Sequence, residues 1–363
     1  MIRLVSVIET FEADLLAQYH TRLTPEQRRA LAAMKRCRTQ ASPKLQVACP
    51  GCAHQLLVPH SCGHRHCPHC QHHESQQWLE RQLKKQVPAE YFLLTFTLPA
   101  EFRPLAMAQQ RVIYDLLMRC CWETLRTFSQ NDKQLQGGPG VIAVLHTNTR
   151  QLAYHPHVHV VMPAAAIDTE HGLWRKKHGY LFCHKALAKV FRAKLLAAIK
   201  AAGLALPSRY PEQWVVDCKS VGTGEKALVY LGRYLYRGVI REQDIVTVGF
   251  GQVTFRYRDA KSGKRELRTV SGADFLWLVL QHVLPKGFRR ARNFGFLHPN
   301  CKRLIALLQL VLKFVPLQVG AWVKARAPVL CPCCGAAMVI VKTGIRARFD
   351  GPMAVPRVAK GVC

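Results

Sequence analysis

The chain has 363 residues, of which 49% are apolar, and carries 52 Lys+Arg against 22 Asp+Glu, a formal charge of +30. That composition excludes a disordered chain or a fibre and leaves room for two domains, or one with extensions. The positive charge is patchy: no acid stands between Gln27 and His73, which hold seven Arg/Lys, nor between Phe275 and Phe349, which hold twelve. Acid-free basic stretches suit a polyanion, because each neutralised phosphate releases counterions; an anionic membrane surface is the other candidate.

The opening segment, "MIRLVSVIETFEADLL", carries Glu9, Glu12 and Asp14 and lacks a cleavage-site pattern, so no signal peptide is expected. The 15 cysteines are therefore expected to be reduced in a cytoplasm and to serve a metal rather than disulfides. Six of them crowd into the head: Cys37, Cys49, Cys52, Cys62, Cys67 and Cys70. The pairs "CPGC" (49–52) and "CPHC" (67–70) each set two thiolates on a tight turn, and 14 residues separate them. Two such turns make a tetrahedral zinc site, so Cys49, Cys52, Cys67 and Cys70 are expected to share one structural Zn²⁺. Cys37, Cys62, His64 and His66 are left over, for a second site or as a replacement ligand. A zinc-binding module over 1–86 follows, with the metal supplying much of its folding energy.

From 87 to 300 the pattern is α+β. "YFLLTFTLP" (91–99) alternates as a strand; 104–130 places Val112, Leu116 and Leu117 on one helical face; "GGPG" (137–140) is a break. "VIAVLHTNT" (141–149) and "AYHPHVHVVMP" (153–163) read as a hairpin, 185–203 and 226–239 as helices, and 253–272 as a basic hairpin. Strands mixed with long helices, with no regular βαβ repeat, predict an antiparallel sheet covered by helices.

The strand 153–163 raises a chemical question. Residues i and i+2 share a face, so His155, His157 and His159 point one way while Val158 and Val160 enter the core. Neighbouring members stand roughly 6.7 Å apart along the strand, close enough for two imidazoles to converge on an ion, whereas the outer two stand too far apart. His157 and His159 are the expected ligand pair, and His155 is expected to make a hydrogen bond or a DNA contact. On the following helix Tyr230 and Tyr234 lie on one face, since i and i+4 differ by about 40°, with Arg233 and Arg237 beside them and Tyr236 on the other side. A phenol can attack a phosphodiester if a divalent ion polarises the phosphate. A His-x-His strand also occurs in barrel-type metallohydrolases, but those need carboxylate ligands, and the acid-poor 275–349 region supplies none.

Further on, "FRRARNFGF" (288–296) interleaves arginines with Phe288, Phe294 and Phe296, a mixture that fits single-strand binding by stacking and phosphate contacts. Lys286, Arg289, Arg290 and Arg292 are its candidate DNA contacts. The apolar run 304–323 contains Gln309, Lys313, Pro316 and Gln318, so a mostly buried helix ending before Pro316 is expected, not a membrane span. The tail, 301–363, is expected to be helical and basic and holds one more two-residue-gap pair, Cys331 and Cys334, a candidate second zinc motif that Cys363 could complete.

Taken together, "CGHRHCPHCQ" (62–71), "HPHVHVV" (155–161), "YLGRYLYR" (230–237), "LPKGFRRARNFGFL" (284–297) and the "CPCCG" tail resemble the HUH-type, two-tyrosine transposases of rolling-circle insertion sequences, the insertion-sequence-91 family. The resemblance implies a ferredoxin/RRM-like HUH nuclease domain over 87–300, preceded by a zinc module that helps to recognise element ends. It implies that His157 and His159 bind Mg²⁺ or Mn²⁺ with a third ligand not yet placed. It also implies that Tyr230 and Tyr234 attack single-stranded DNA at element ends and target, each giving a 5′-phosphotyrosine and a free 3′-hydroxyl. No membrane and no small-molecule cofactor enter such a reaction, and the setting it implies is the bacterial nucleoid. A replication initiator or relaxase with the same chemistry, and a non-catalytic zinc-dependent DNA-binding protein, are the rival readings.

Overall fold

The computed structural model describes residues 2–345 apart from 69, 71, 236–237, 260–261 and 318–327. In chain order the first elements are α1 (Leu4–Tyr19), α2 (Pro25–Arg36), β1 (Lys44–Ala48), β2 (Gln55–Pro59) and α3 (His72–Leu83). Next come β3 (Tyr91–Thr97), α4 (Arg103–Ala108), α5 (Gln110–Asn131), β4 (Gly138–Asn148), β5 (Tyr154–Pro163), β6 (Ala165–Asp168), β7 (Leu173–Lys176), α6 (His184–Ala201) and β8 (Val216–Ser220). The last are α7 (Glu225–Leu235), β9 (Ile245–Gly249), β10 (Gln252–Arg258), β11 (Arg265–Ser271), α8 (Gly272–Leu280), β12 (Ala291–Gly295), α9 (Lys302–Val311) and β13 (Val339–Ile345).

The central sheet runs β7-β6-β4-β5-β3-β8, with β12 also on β4, and every pairing in it is antiparallel. Within it β3-α5-β4-β5-α6-β8 trace a βαββαβ path with strand order β8-β3-β5-β4, the ferredoxin-like arrangement. Period-2 alternation sorts the side chains to the two faces. Phe92, Leu94, Phe96, Val141, Ala143, Leu145, Val158 and Val160 meet α5 and α6 in one core. Tyr91, Ile142, Val144 and Val161 meet α3 and α7 in another, on the opposite face. The expected 141–149/153–163 hairpin is the β4–β5 pair, in which Ile142 faces Val161 and His146 faces His157.

A third core joins the N-terminal helices to residues 240–283. Buried Leu4, Val7, Ile8, Phe11 and Leu15 of α1, at helical spacing, and Ala30, Leu31 and Met34 of α2 pack against Phe275, Leu276 and Leu280 of α8 and against Val253 and Phe255 of β10. Thr24 caps α2 with a reciprocal pair of bonds to Gln27, whose side-chain amide also donates to the Leu280 carbonyl at 3.0 Å. The packing thus crosses the expected boundary at 86/87. It also crosses that at 300/301, where β13 pairs with β1.

Two expectations about helices need correction. The helix expected over 104–130 is two, α4 and α5, broken at Gln109. The helix of the apolar run is not mostly buried: α9 buries Ile305 alone and exposes Leu307, Leu310 and Val311 at 56%, 75% and 67%. Among the described residues no helix is long and apolar enough to cross a membrane.

Candidate active site

The histidine strand lies at the centre of the sheet, on the face that α7 covers. His157 and His159 stand on β5, and His146 on β4 directly opposite His157. Their ligating nitrogens all lie within 4.8 Å of one another. His146 is the residue that sequence reasoning missed. The available signal was parity: once β4 and β5 pair as a hairpin, Ile142, Val144 and His146 must share the face of Val161, His159 and His157.

The donor set suits a divalent cation. The Nδ1–H of His157 donates to the His155 carbonyl at 2.7 Å, which leaves the Nε2 lone pair free to ligate. His159 Nδ1 pairs with Thr95 Oγ1 at 3.0 Å from the neighbouring strand, with the same consequence. Nε2 of His146 is buried and has no hydrogen-bond partner. Burial pushes His157 down to about 4 and His159, helped by the His157 charge, to about 3. Burial, then His159, His157 and Arg290, hold His146 well below the ordinary imidazole range. All three are therefore neutral at pH 7, with lone pairs to give. His155 stands apart: its Nδ1 accepts from the Arg103 guanidinium at 2.8 Å, a hydrogen bond that occupies the ring.

Tyr230 and Tyr234 face this cluster. Tyr234 stacks on His146, ring centroids 3.3 Å apart and 13° from parallel. The Tyr230 ring lies 6.1 Å from those of both His146 and His159. The two phenols differ in freedom. Tyr234 donates its hydroxyl proton to Asn148 Oδ1, accepts from the Thr147 amide at 3.3 Å, and lies under the Arg290 guanidinium at 4.5 Å. Tyr230 is half exposed, and burial of the remainder, then the neighbouring Tyr234, raises its phenol above the ordinary value while Arg150 opposes. Sequence reasoning missed Asn148 as well.

The site opens into a cleft of about 1200 Å³ between α7 and the basic hairpin β10–β11, lined among others by Arg150, Lys226, Arg233, Arg258, Arg265 and Arg290. Among the described lining residues Asp244 is the one acid, and it is already paired with Arg241. Of the expected DNA contacts, Arg233 and Arg290 line the cleft and Lys286, Arg289 and Arg292 do not. Arg292 is ion-paired to Asp115. Arg237 and Tyr236 lie outside the described residues. The expected stacking platform at 288–296 is corrected: Phe288 and Phe296 are buried at 3% and 5%, and Phe294 stacks on Trp122, so none offers a face to a base.

The head's thiols do not group as their spacing suggests. Cys67 and Cys70 meet Cys37 and Cys62, not Cys49 and Cys52. Sulfur separations are 3.4 Å for Cys67–Cys37, 3.5 Å for Cys37–Cys70 and 3.6 Å for Cys62–Cys70. A tetrahedron of Zn–S bonds of about 2.3 Å has edges of about 3.8 Å, so the four fit a structural zinc. Hydrogen bonds from Cys62 and Cys67 push Cys37 down to about 7, and those from Cys37 and Cys62 push Cys70 down. His66 is no ligand: its Nε2 accepts the Leu284 amide at 3.2 Å. Cys49 and Cys52 instead join Cys331 and Cys334 at the far end of the chain; Cys363 lies outside the described residues. The Cys67–Cys70 turn lies close to the tyrosine helix, since a Cβ added at Gly238 would meet Pro68 at 3.1 Å, and Ser75 of α3 donates to the Gly232 carbonyl of α7 at 3.0 Å.

Comparison with known proteins gives two family matches, a "Transposase zinc-binding domain" over residues 7–98 and a "Putative transposase" over 140–304. The chain is 34% identical to the "Putative transposase y4qJ" of Sinorhizobium fredii, over 78% of this chain and 79% of that one. It is 29% identical to the "Transposase for insertion sequence element IS801" of Pseudomonas savastanoi pv. phaseolicola, over 68% of this chain and 63% of that one. Among solved structures, a conjugative relaxase TrwC bound to mutant origin DNA is 21% identical, covering 34% of this chain and 48% of that one. Its metal-bound counterpart is 19% identical; both superpose at a TM-score of 0.28, too poorly for anything to rest on the likeness.

Proposed function

The chain belongs to the insertion-sequence-91 family of transposases, and from that premise we propose that it breaks and rejoins single-stranded DNA at the ends of its element through phosphotyrosine esters, in rolling-circle transposition. One observation carries the reading: two tyrosines of one helix stand over a cluster of three neutral imidazoles, of which His146 and His157 line an arginine-rich cleft.

The cleft walls meet the strand's phosphates with Arg150, Arg233 and Arg265. A Mg²⁺ or Mn²⁺ held by His146, His157 and His159 would supply Lewis-acid polarisation of a non-bridging phosphate oxygen. Tyr230 opens the reaction, because its phenol is the accessible one. It attacks phosphorus; the P–O3′ bond breaks; the 5′-phosphate stays on the tyrosine, whose proton is lost, while the departing oxygen takes up a proton as a 3′-hydroxyl. The ester keeps the energy needed to rejoin, since attack by a new 3′-hydroxyl reverses the step. Tyr234 is held in place by Asn148, Thr147 and Arg290 for the second cleavage. Cys37, Cys62, Cys67 and Cys70 would hold a structural zinc, which would fix the head against α7.

The test uses single-stranded oligonucleotides from an element end, with Mn²⁺, resolved on a denaturing gel. Tyr230→Phe is expected to lose the first covalent adduct, and Tyr234→Phe to keep it but fail in strand transfer. His146→Ala should lose cleavage and retain DNA binding. An adduct of normal yield from the Tyr230→Phe/Tyr234→Phe double variant refutes the mechanism.

A further inference from the structure

We propose that Cys49, Cys52, Cys331 and Cys334 hold a second zinc ion, closing a zinc ribbon assembled from the two ends of the chain. Cys331 and Cys334 lie outside both matched family segments, and the site is independent of the DNA chemistry above.

The first argument is that the two turns are copies of one another. In one, the Cys49 amide donates to the His54 carbonyl at 2.8 Å and the Ala53 amide to the Cys49 carbonyl at 3.1 Å. In the other, the Cys331 amide donates to the Ala336 carbonyl at 2.8 Å and the Gly335 amide to the Cys331 carbonyl at 2.9 Å. Both turns begin Cys-Pro, and both place the residue after the second cysteine in the left-handed region, Ala53 at φ 56° and Gly335 at φ 72°. An alanine there costs about 1–2 kcal/mol, a strain retained only where the surroundings demand it. Within the first turn the Gly51 amide points at Cys49 Sγ, 3.3 Å away, the kind of N–H···S bond that stabilises a thiolate ligand.

Second, the turns face each other. Cys49 Sγ lies 3.4 Å from Cys334 Sγ and Cys52 Sγ 3.5 Å from Cys331 Sγ, with all four sulfurs within 4.8 Å. That is the same fit to a tetrahedral tetrathiolate as in the Cys37 quartet.

Third, little else holds this unit together. β1 pairs with β2 on one side and β13 on the other, and Leu330 bridges Ala337. Its core is Val47, Cys49, Cys331 and Met338, while β13 is exposed along nearly all its length. Three short strands on so small a core need a metal to fold. Zinc binding takes four thiols to four thiolates and releases four protons, with no change of oxidation state. The ion would tie the residues around 331–345 to the head, whose Cys67–Cys70 turn lies close to the tyrosine helix.

The test is metal analysis of the full-length protein as purified, with thiol mapping. Two zinc ions per chain are expected; Cys331→Ser/Cys334→Ser should keep one and Cys62→Ser/Cys67→Ser the other. Native alkylation followed by mass spectrometry guards against a variant that fails to fold. In the unaltered protein exposed Cys183 should label at once, whereas Cys52 and Cys334, exposed as residues, should resist until a chelator is added. One zinc per chain, iron in place of the second zinc, or prompt labelling of Cys52 and Cys334 without chelator would each overturn the proposal.

Discussion

At the scale of residues, the candidate site depends on three imidazoles kept neutral by burial. The sign of the pH dependence follows directly. An imidazole can ligate only when unprotonated, so protons compete below its folded pKa, and for His157 that is about 4 where an unburied ring would begin to lose metal near 6.5. We therefore expect Mn²⁺ affinity, read from the free-ion EPR signal, to hold steady from about pH 7.5 to 5 and to collapse only below about pH 4. A loss centred near 6.5 would show that the histidines are not buried as drawn. The histidine pair was legible in the sequence because alternation is visible within one strand. His146 was not, because its relevance is a cross-strand fact: it becomes a neighbour of His157 only when β4 and β5 pair in one register.

Among elements, α7 decides whether the phenols reach the cluster, and its start is set by Gly224. That residue sits at φ +82°, and a Cβ there would lie 2.6 Å from the ring of Tyr91. Tyr91 cannot yield easily, being 2% exposed, with its hydroxyl accepting the Val87 amide at 3.0 Å. Gly203, just past α6, has φ +72° and open space around the same position. Gly203→Ala should cost about 1 kcal/mol of strain alone, and Gly224→Ala about 3 kcal/mol, with a correspondingly larger fall in Tm. Equal falls in the two variants would mean that Tyr91 moves aside and that α7 is not locked at its root. The helix itself was readable from its amphipathic spacing. The exposure of α9 was not: apolar content signals a helix face without saying what covers it.

Over the whole molecule, the +30 charge acts through position, not through sum. Arg233 and Arg265 line the cleft, while Arg292 lies outside it and is bound to Asp115. Binding of a single strand should therefore weaken with salt in a way that separates them. Arg233→Ala and Arg265→Ala should each reduce the slope of log K against log salt by about 0.7, the value for one lost phosphate contact, and Arg292→Ala should leave it unchanged. A uniform effect of all three would return the basic residues to a diffuse electrostatic role.

The sequence by itself determined the α+β class, the histidine strand, the tyrosine face, the reliance on thiolate ligands and the family, because each rests on spacing within short segments or on the order of those segments along the chain. Only the tertiary structure decided which groups converge. It split the two Cys-Pro-x-Cys turns of the head between different quartets, supplied His146 and Asn148, took Phe288 and Phe296 into the core, and brought residues 331–334 to residue 49. The physical reason is that a metal site or a cleft is a meeting of side chains far apart along the chain, and spacing carries no record of which distant partner the packing will deliver.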